Sequence, residues 1–207
     1  MTQVLLSAAF VLRLNKLEQR ILVGLSNQGE APTDPPIVDN VSIDDDPRMG
    51  TDGAVITIVE FGDYECPFCA EASKSINEIM SEYKGKVLFV YRDFPLEQIH
   101  PNAFQAAEAA NCAGQENAYW KMHDLLFANN TQLDINSLRK YANELGLNME
   151  QFNSCLDSHK FGDEIRHDVE DGLKYQVSST PTFFINGHRV VGASLEQLKA
   201  TIDILIR

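Results

Sequence analysis

Two cysteines sit two residues apart in Asp63-Tyr64-Glu65-Cys66-Pro67-Phe68-Cys69, directly after the apolar run Ala54–Phe61. Such a pair can hold a metal, brace a turn or exchange electrons. Zinc needs four ligands, and structural zinc sites draw them from paired short motifs. The two remaining cysteines, Cys112 and Cys155, are far apart and form no second C-x-x-C. Redox chemistry has the stronger basis, because position supplies it. Pro67 suits the first turn of a helix, so Cys66 falls at a helix start. Unpaired backbone N–H groups and the positive end of the helix dipole favour a thiolate there, and the thiolate is the nucleophile. Cys69, one turn on, is close enough to resolve a mixed disulfide.

The flanking residues supply the frame that such a pair needs. Ala54–Phe61 is short and rich in β-branched residues, as in a buried strand. Ala70–Tyr83 keeps Ala72, Ile76, Ile79, Met80 and Tyr83 on one face, which predicts a helix ended by Gly85. Val87–Tyr91 reads as a second strand. This is a βαβ unit with parallel strands and the cysteines at the strand-to-helix corner, the context that makes C-x-x-C specific. From about residue 96 to 175 helical periodicity dominates, broken at Gly114, Asn129-Asn130 and Gly146. Thr182–Ile185 and His188–Val191 read as a hairpin on the Asn186-Gly187 turn. Ser194 caps a last helix carrying Leu195, Leu198, Ile202 and Leu205.

Ser179-Thr180-Pro181 precedes the hairpin. Proline at the first residue of a strand tolerates the missing N–H. A cis Thr180–Pro181 bond would let this loop present backbone to an extended chain beside the cysteines; a trans bond would make it an ordinary loop.

These motifs together resemble the DsbA-like thiol:disulfide oxidoreductases of the thioredoxin-fold superfamily. The resemblance rests on VEFGDYECPFC, the helical insertion and SSTPTFFINGHRVVGA, and it covers most of the chain, from about residue 53 to 207. It implies an α/β thioredoxin fold with an inserted helical subdomain and no cofactor. It makes Cys66 the attacking and Cys69 the resolving thiol, with Thr180 and Pro181 in a substrate-binding cis-proline loop. It also implies a buried acid six residues before the first cysteine, a position held by Glu60. A buried carboxylate can accept the resolving thiol's proton; the alternative is an outward-facing charge at a sheet edge. Partners would be reduced or misfolded proteins and a redox protein that reoxidises or reduces the site. Disulfide donation, isomerase or reductase work, and a redox-linked chaperone with little turnover all remain open. Pro67-Phe68 adds no positive charge, and Asp63 and Glu65 add negative charge that opposes a thiolate, so a less oxidising member is expected.

Cys112 and Cys155 lie in the insertion. They are either buried free thiols or a structural disulfide, and the latter is favoured here. Closing so long a loop stabilises by roughly 4 kcal/mol on the chain-entropy model, and such a bond implies an oxidising, extracytoplasmic compartment such as the periplasm. His100, His123, His159, His167 and His188 are scattered and take surface or packing roles. Trp120 and Phe127, seven apart, read as core.

The chain has 30 acidic against 17 basic residues, a net charge of −13, which disfavours nucleic acid as a partner. Three segments are expected: a helix over residues 1–27, an acidic solvated linker over 28–52, and the thioredoxin-fold domain over 53–207. In the first, Phe10, Leu14, Leu17 and Ile21 share a helical face. No clear export signal or membrane-length run is present. The segment could dock on its own domain, pair with a second copy, associate with a membrane or be disordered.

Overall fold

The computed structural model describes residues 37–192 and 194–206. The helix expected over residues 1–27, and any self-association through it, lie outside the described residues.

Strand β1 (Arg48–Gly50), β2 (Ile56–Gly62), β3 (Val87–Asp93), β4 (Thr182–Ile185) and β5 (His188–Val191) form one sheet in the order β1-β3-β2-β4-β5. Helix α1 (Pro67–Glu82) is the crossover between β2 and β3, which pair in parallel, with Glu60 opposite Tyr91 and Phe61 opposite Arg92. The other pairings are antiparallel. Between β3 and β4 stand the five helices of the insertion: α2 (Ala103–Gly114), α3 (Tyr119–Ala128), α4 (Ile135–Glu144), α5 (Met149–Asp157) and α6 (Gly162–Lys174). Helix α7 (Leu195–Leu205) closes the domain, with Ser194 and Gln197 forming a capping box.

Side chains alternate across the pleat, so each strand feeds two cores. On the inner face Ile56, Ile58, Phe89, Tyr91, Phe183 and Ile185 join the apolar sides of α1, α7 and the insertion. On the outer face Val59, Phe61, Leu88, Val90 and Phe184 meet Val38, Val41, Ile43, Val169 and Tyr175. The hairpin turn behaves as its Asn-Gly pair predicts. Asn186 and Gly187 both take positive φ, 46° and 83°, as a type I′ turn requires. Gly187 also has no room for a side chain, since a Cβ there would lie 2.6 Å from Val38 O.

One boundary differs from expectation. Residues 37–52 were expected to form part of a solvated linker. Instead Ile37 bridges His188, β1 extends the sheet beyond β3, and Asp46 is buried. The compact unit accordingly runs from Ile37 to Arg207. The cause is on the outer face, where the Asp46 carboxyl group sits 2.9 Å from buried Arg92.

Candidate active site

Strand β2 delivers the chain to the site, and a turn closes at once: Cys66 N–H donates to Asp63 O at 3.1 Å. Cys66 is the N-cap of α1, extended at φ −75° and ψ 122°, and Pro67 follows in the first turn. Both thiols are free and buried, Cys66 at 4% exposure and Cys69 at 0%. The loop before β4 closes over them. The Thr180–Pro181 peptide is cis, and the Cys66 thiol donates to Thr180 O at 3.5 Å. Thr182 Oγ1 fixes this loop from within by donating to Ser179 O at 2.7 Å.

The two thiols are driven apart electrically. The Cys66 pKa is lowered to about 5. The largest cause is a hydrogen bond from the Cys69 thiol. It outweighs the opposing effect of burial, with help from the backbone N–H groups of Cys69 and Phe68. Cys69 moves the other way. Burial pushes it well above the usual thiol value, and its bond to Cys66 and the charge of Glu60 add to the shift. A thiolate at the helix start with a protonated neighbour is the charge pattern that thiol exchange needs.

Glu60 is fully enclosed on the inner face, at 1% exposure, and its Oε1 has no hydrogen-bond partner. It is not an outward-facing edge charge. Burial raises its pKa to about 8, and the Cys66 charge contributes.

Asp63 and Glu65, expected to oppose the thiolate, are not among the main causes of the Cys66 shift, and both carboxylates are hydrogen-bonded to neighbouring groups. Asp63 accepts from Glu65 N at 2.8 Å and Leu96 N at 2.8 Å, and its Oδ2 lies 2.8 Å from His100 Nδ1. Glu65 accepts from Asn102 N and Asn102 Nδ2 at 2.7 and 2.9 Å. These acids tie the cysteine loop to the start of the insertion.

Cys112 on α2 and Cys155 on α5 are bonded, with S–S 2.01 Å and Cα–Cα 5.9 Å across a separation of 43 residues. Sequence reasoning missed His123, which is buried on α3 beside Tyr64. It also missed the outer-face carboxylates. Oxygens of Asp46, Glu164 and Asp168 lie within 4.8 Å of one another. Arg92 contacts two of these residues, at 2.9 Å from Asp46 and 2.6 Å from Asp168.

Fold and site define a thiol–disulfide oxidoreductase of DsbA-like build. The chain belongs to the thioredoxin family, whose model, described as "Thioredoxin", matches residues 42–204. Among solved structures it is similar to BdbD from Bacillus subtilis in its oxidised form, at 24% identity and TM-score 0.74, covering 83% of this chain and 98% of that one. A thioredoxin-like oxidoreductase from Silicibacter pomeroyi is 26% identical with TM-score 0.70, over 76% and 90% of the two chains. Alpha-DsbA1 from Wolbachia pipientis is 23% identical with TM-score 0.70, over 78% and 90%.

Curated relatives carry a different name. The chain is 39% identical over 163 residues to Na(+)/H(+) antiporter NhaA 1 of Salinispora arenicola, covering 78% of this chain and 25% of that protein. The chain thus spans about a quarter of the length of such relatives, and the likeness is to one segment of them. Among the described residues no helix is long and apolar enough to cross a membrane.

Proposed function

We propose that the protein exchanges disulfides with protein substrates through Cys66 and Cys69, and that it acts chiefly as a disulfide donor. The observation that carries this reading is the split between the thiols: Cys66 lowered to about 5, Cys69 raised. Thiolate pKa values at such sites run from ~7 in thioredoxin to ~3.5 in DsbA. A stabilised thiolate favours the reduced protein, and so favours giving the disulfide away.

The exchange proceeds in two displacements. A substrate thiolate attacks Cys66 Sγ of the oxidised site; a mixed disulfide forms and the Cys66–Cys69 bond breaks. Cys69 leaves as a thiolate and takes a proton from Glu60, which holds one at neutral pH because its pKa is raised to about 8. A second substrate thiolate then attacks the substrate sulfur. The substrate disulfide forms, and Cys66 leaves as the low-pKa thiolate, a good leaving group. In the reverse direction the Glu60 carboxylate accepts the Cys69 proton, as the sequence reading assigned. Thr180 and Pro181 bind the substrate backbone beside Cys66. The site needs a redox partner to restore its disulfide. The Cys112–Cys155 bond supports an oxidising, extracytoplasmic compartment.

The test is a Cys69→Ala variant offered an unfolded substrate that carries a disulfide and trapped at acid pH; the Cys66 thiolate attacks that disulfide and releases one substrate thiolate. Mixed disulfides should accumulate on Cys66, and alkylation of the reduced wild type at neutral pH should label Cys66 far faster than Cys69. Preferential labelling of Cys69 would overturn the assignment. Equilibration with glutathione buffers fixes the direction: a potential near that of thioredoxin would favour reductase work over disulfide donation.

A further inference from the structure

Tyr64 stands two residues before Cys66 and is 1% exposed, although it belongs to a loop. Its hydroxyl lies 3.0 Å from the Tyr119 hydroxyl and 3.0 Å from His123 Nδ1. Both partners are on α3 of the insertion, one helical turn apart, so they share a face. Tyr64 also lies within the turn closed by Cys66 N–H on Asp63 O. A fixed point at Tyr64 is therefore a fixed point for the turn that presents Cys66.

The direction of these bonds is set by the His123 tautomer. Burial pushes the His123 pKa down to about 3, so the ring is neutral at working pH. A neutral imidazole with Nδ1 as acceptor carries its proton on Nε2. In that tautomer Tyr64 donates to His123 and Tyr119 donates to Tyr64, so both hydroxyls and Nδ1 are paired. The ring of Tyr64 packs 4.8 Å from Phe127 and 5.2 Å from Tyr91, centroid to centroid. Tyr91 in turn presses on the strand end that leads into the loop: a Cβ at Gly62 would lie 2.5 Å from its ring. Close backbone approach of this kind is what a glycine in a strand permits. The loop is held by polar bonds on one side and by ring contact on the other.

We infer that Tyr64 is a positioning residue for Cys66, its hydroxyl tying the nucleophile's turn to Tyr119 and His123 of the helical insertion. This rests on the redox reading of Cys66 and deepens it. The donors that favour the Cys66 thiolate are the Cys69 thiol and backbone N–H groups with fixed positions, so a small shift of the turn weakens several of them together. The helical insertion thus contributes to the redox chemistry although none of its atoms reacts.

The experiment compares the full chain with Tyr64→Phe, His123→Leu and His123→Asn. It follows the thiolate absorbance of Cys66 against pH and the equilibrium with glutathione. Tyr64→Phe and His123→Leu should raise the Cys66 titration and shift the equilibrium toward the protein disulfide by at least threefold, about 15 mV at about 30 mV per tenfold. His123→Asn, whose side-chain oxygen can stand in for Nδ1, should restore wild-type behaviour. A merely structural Tyr64 predicts something else: both redox forms lose the same stability, and neither the titration nor the equilibrium moves. That result would overturn the inference. If Tyr64→Phe does not fold, Tyr119→Phe and the two His123 variants decide by the same readouts. A wild type whose Cys66–Cys69 pair does not equilibrate with glutathione would remove the redox reading itself, and the inference with it.

Discussion

The two faces of the sheet bury acid in opposite ways. On the inner face Glu60 stands alone, with Oε1 unpaired and burial holding its proton on up to about pH 8. On the outer face, one residue along on each strand, Arg92 lies over the Phe61 ring and gathers Asp46, Asp168 and Asp171 at 2.6–3.2 Å. There the Asp168 carboxylate also accepts from Asp93 N at 2.9 Å. Burial and the neighbouring Asp168 raise Asp46, so one guanidinium does not fully ionise the group. A lone buried acid keeps its proton, which the proposed exchange passes to the Cys69 thiolate. Acids fixed by a cation and by backbone bonds hold chain segments together. The same residue type is chemistry on one face and architecture on the other.

The largest effect should follow removal of the outer cation. Arg92→Met leaves three buried carboxyl groups without their counter-charge. Removing one partner of a buried ion pair costs about 3–5 kcal/mol, and urea denaturation should show a loss of that size. The segment that Asp46 anchors should open as well, so proteolysis should cut within residues 37–47 first. A variant as stable as wild type would show that the carboxyl groups simply protonate without consequence, and the contrast between the faces would collapse.

Glu60→Gln should move stability the other way. Between the ordinary carboxyl pKa of 4.5 and the raised value of about 8, the folded chain holds a proton that the unfolded chain has released. Wild-type stability therefore falls as pH rises through that window, by about 1.4 kcal/mol per unit for this group. Glutamine has no such proton. The variant's advantage should be absent below pH 4.5, grow to a few kcal/mol at pH 8 and then level. Its exchange chemistry should suffer, with trapped mixed disulfides living longer. Equal stability at pH 5 and pH 8 would show that Glu60 reaches solvent.

The βαβ unit, the hairpin and the insertion breaks were legible because each has a local signature: β-branched runs, Asn-Gly, and glycines at helix ends. Cys66 and Cys69 were legible for the same reason, since a helix start is a local feature. What escaped depends on contacts across the fold. Asp46 sits in a run of acids that reads as solvated, and β1 is three residues long, too short for any periodicity. Its burial follows from Arg92, 46 residues on, which the sequence does not place on the outer face beside it. Asp63 and Glu65 were read as free charge near the thiol. Their bonds to Leu96, His100 and Asn102 arise only once the insertion folds back. His123 looked like any scattered histidine. The one available signal was the Tyr119, His123, Phe127 spacing of four, which puts all three on a single helical face.

Asp171→Asn should give the smallest effect, and with the pH dependence opposite to that of Glu60. Asp171 is the rim member of the outer cluster, its side chain 10% exposed. Burial pushes its pKa up, but bonds from Lys174 at 2.9 Å and Arg92 at 3.2 Å prevail, and the net shift is downward. A carboxyl group held below its ordinary range stabilises the fold above that range, and the contribution fades as acid protonates it. Asparagine keeps the shape and can still accept from Arg92. The loss at pH 7 should therefore be no more than about 1 kcal/mol, the usual worth of a pair whose other member, here Lys174, is exposed, and it should vanish toward pH 3. Paired titrations of Glu60→Gln and Asp171→Asn then read the two faces directly. Relative to wild type, one variant gains stability as pH rises from 4.5 to 8; the other loses it as pH rises through the acid range and is flat thereafter. Curves of the same sign would mean that the faces bury their acids alike.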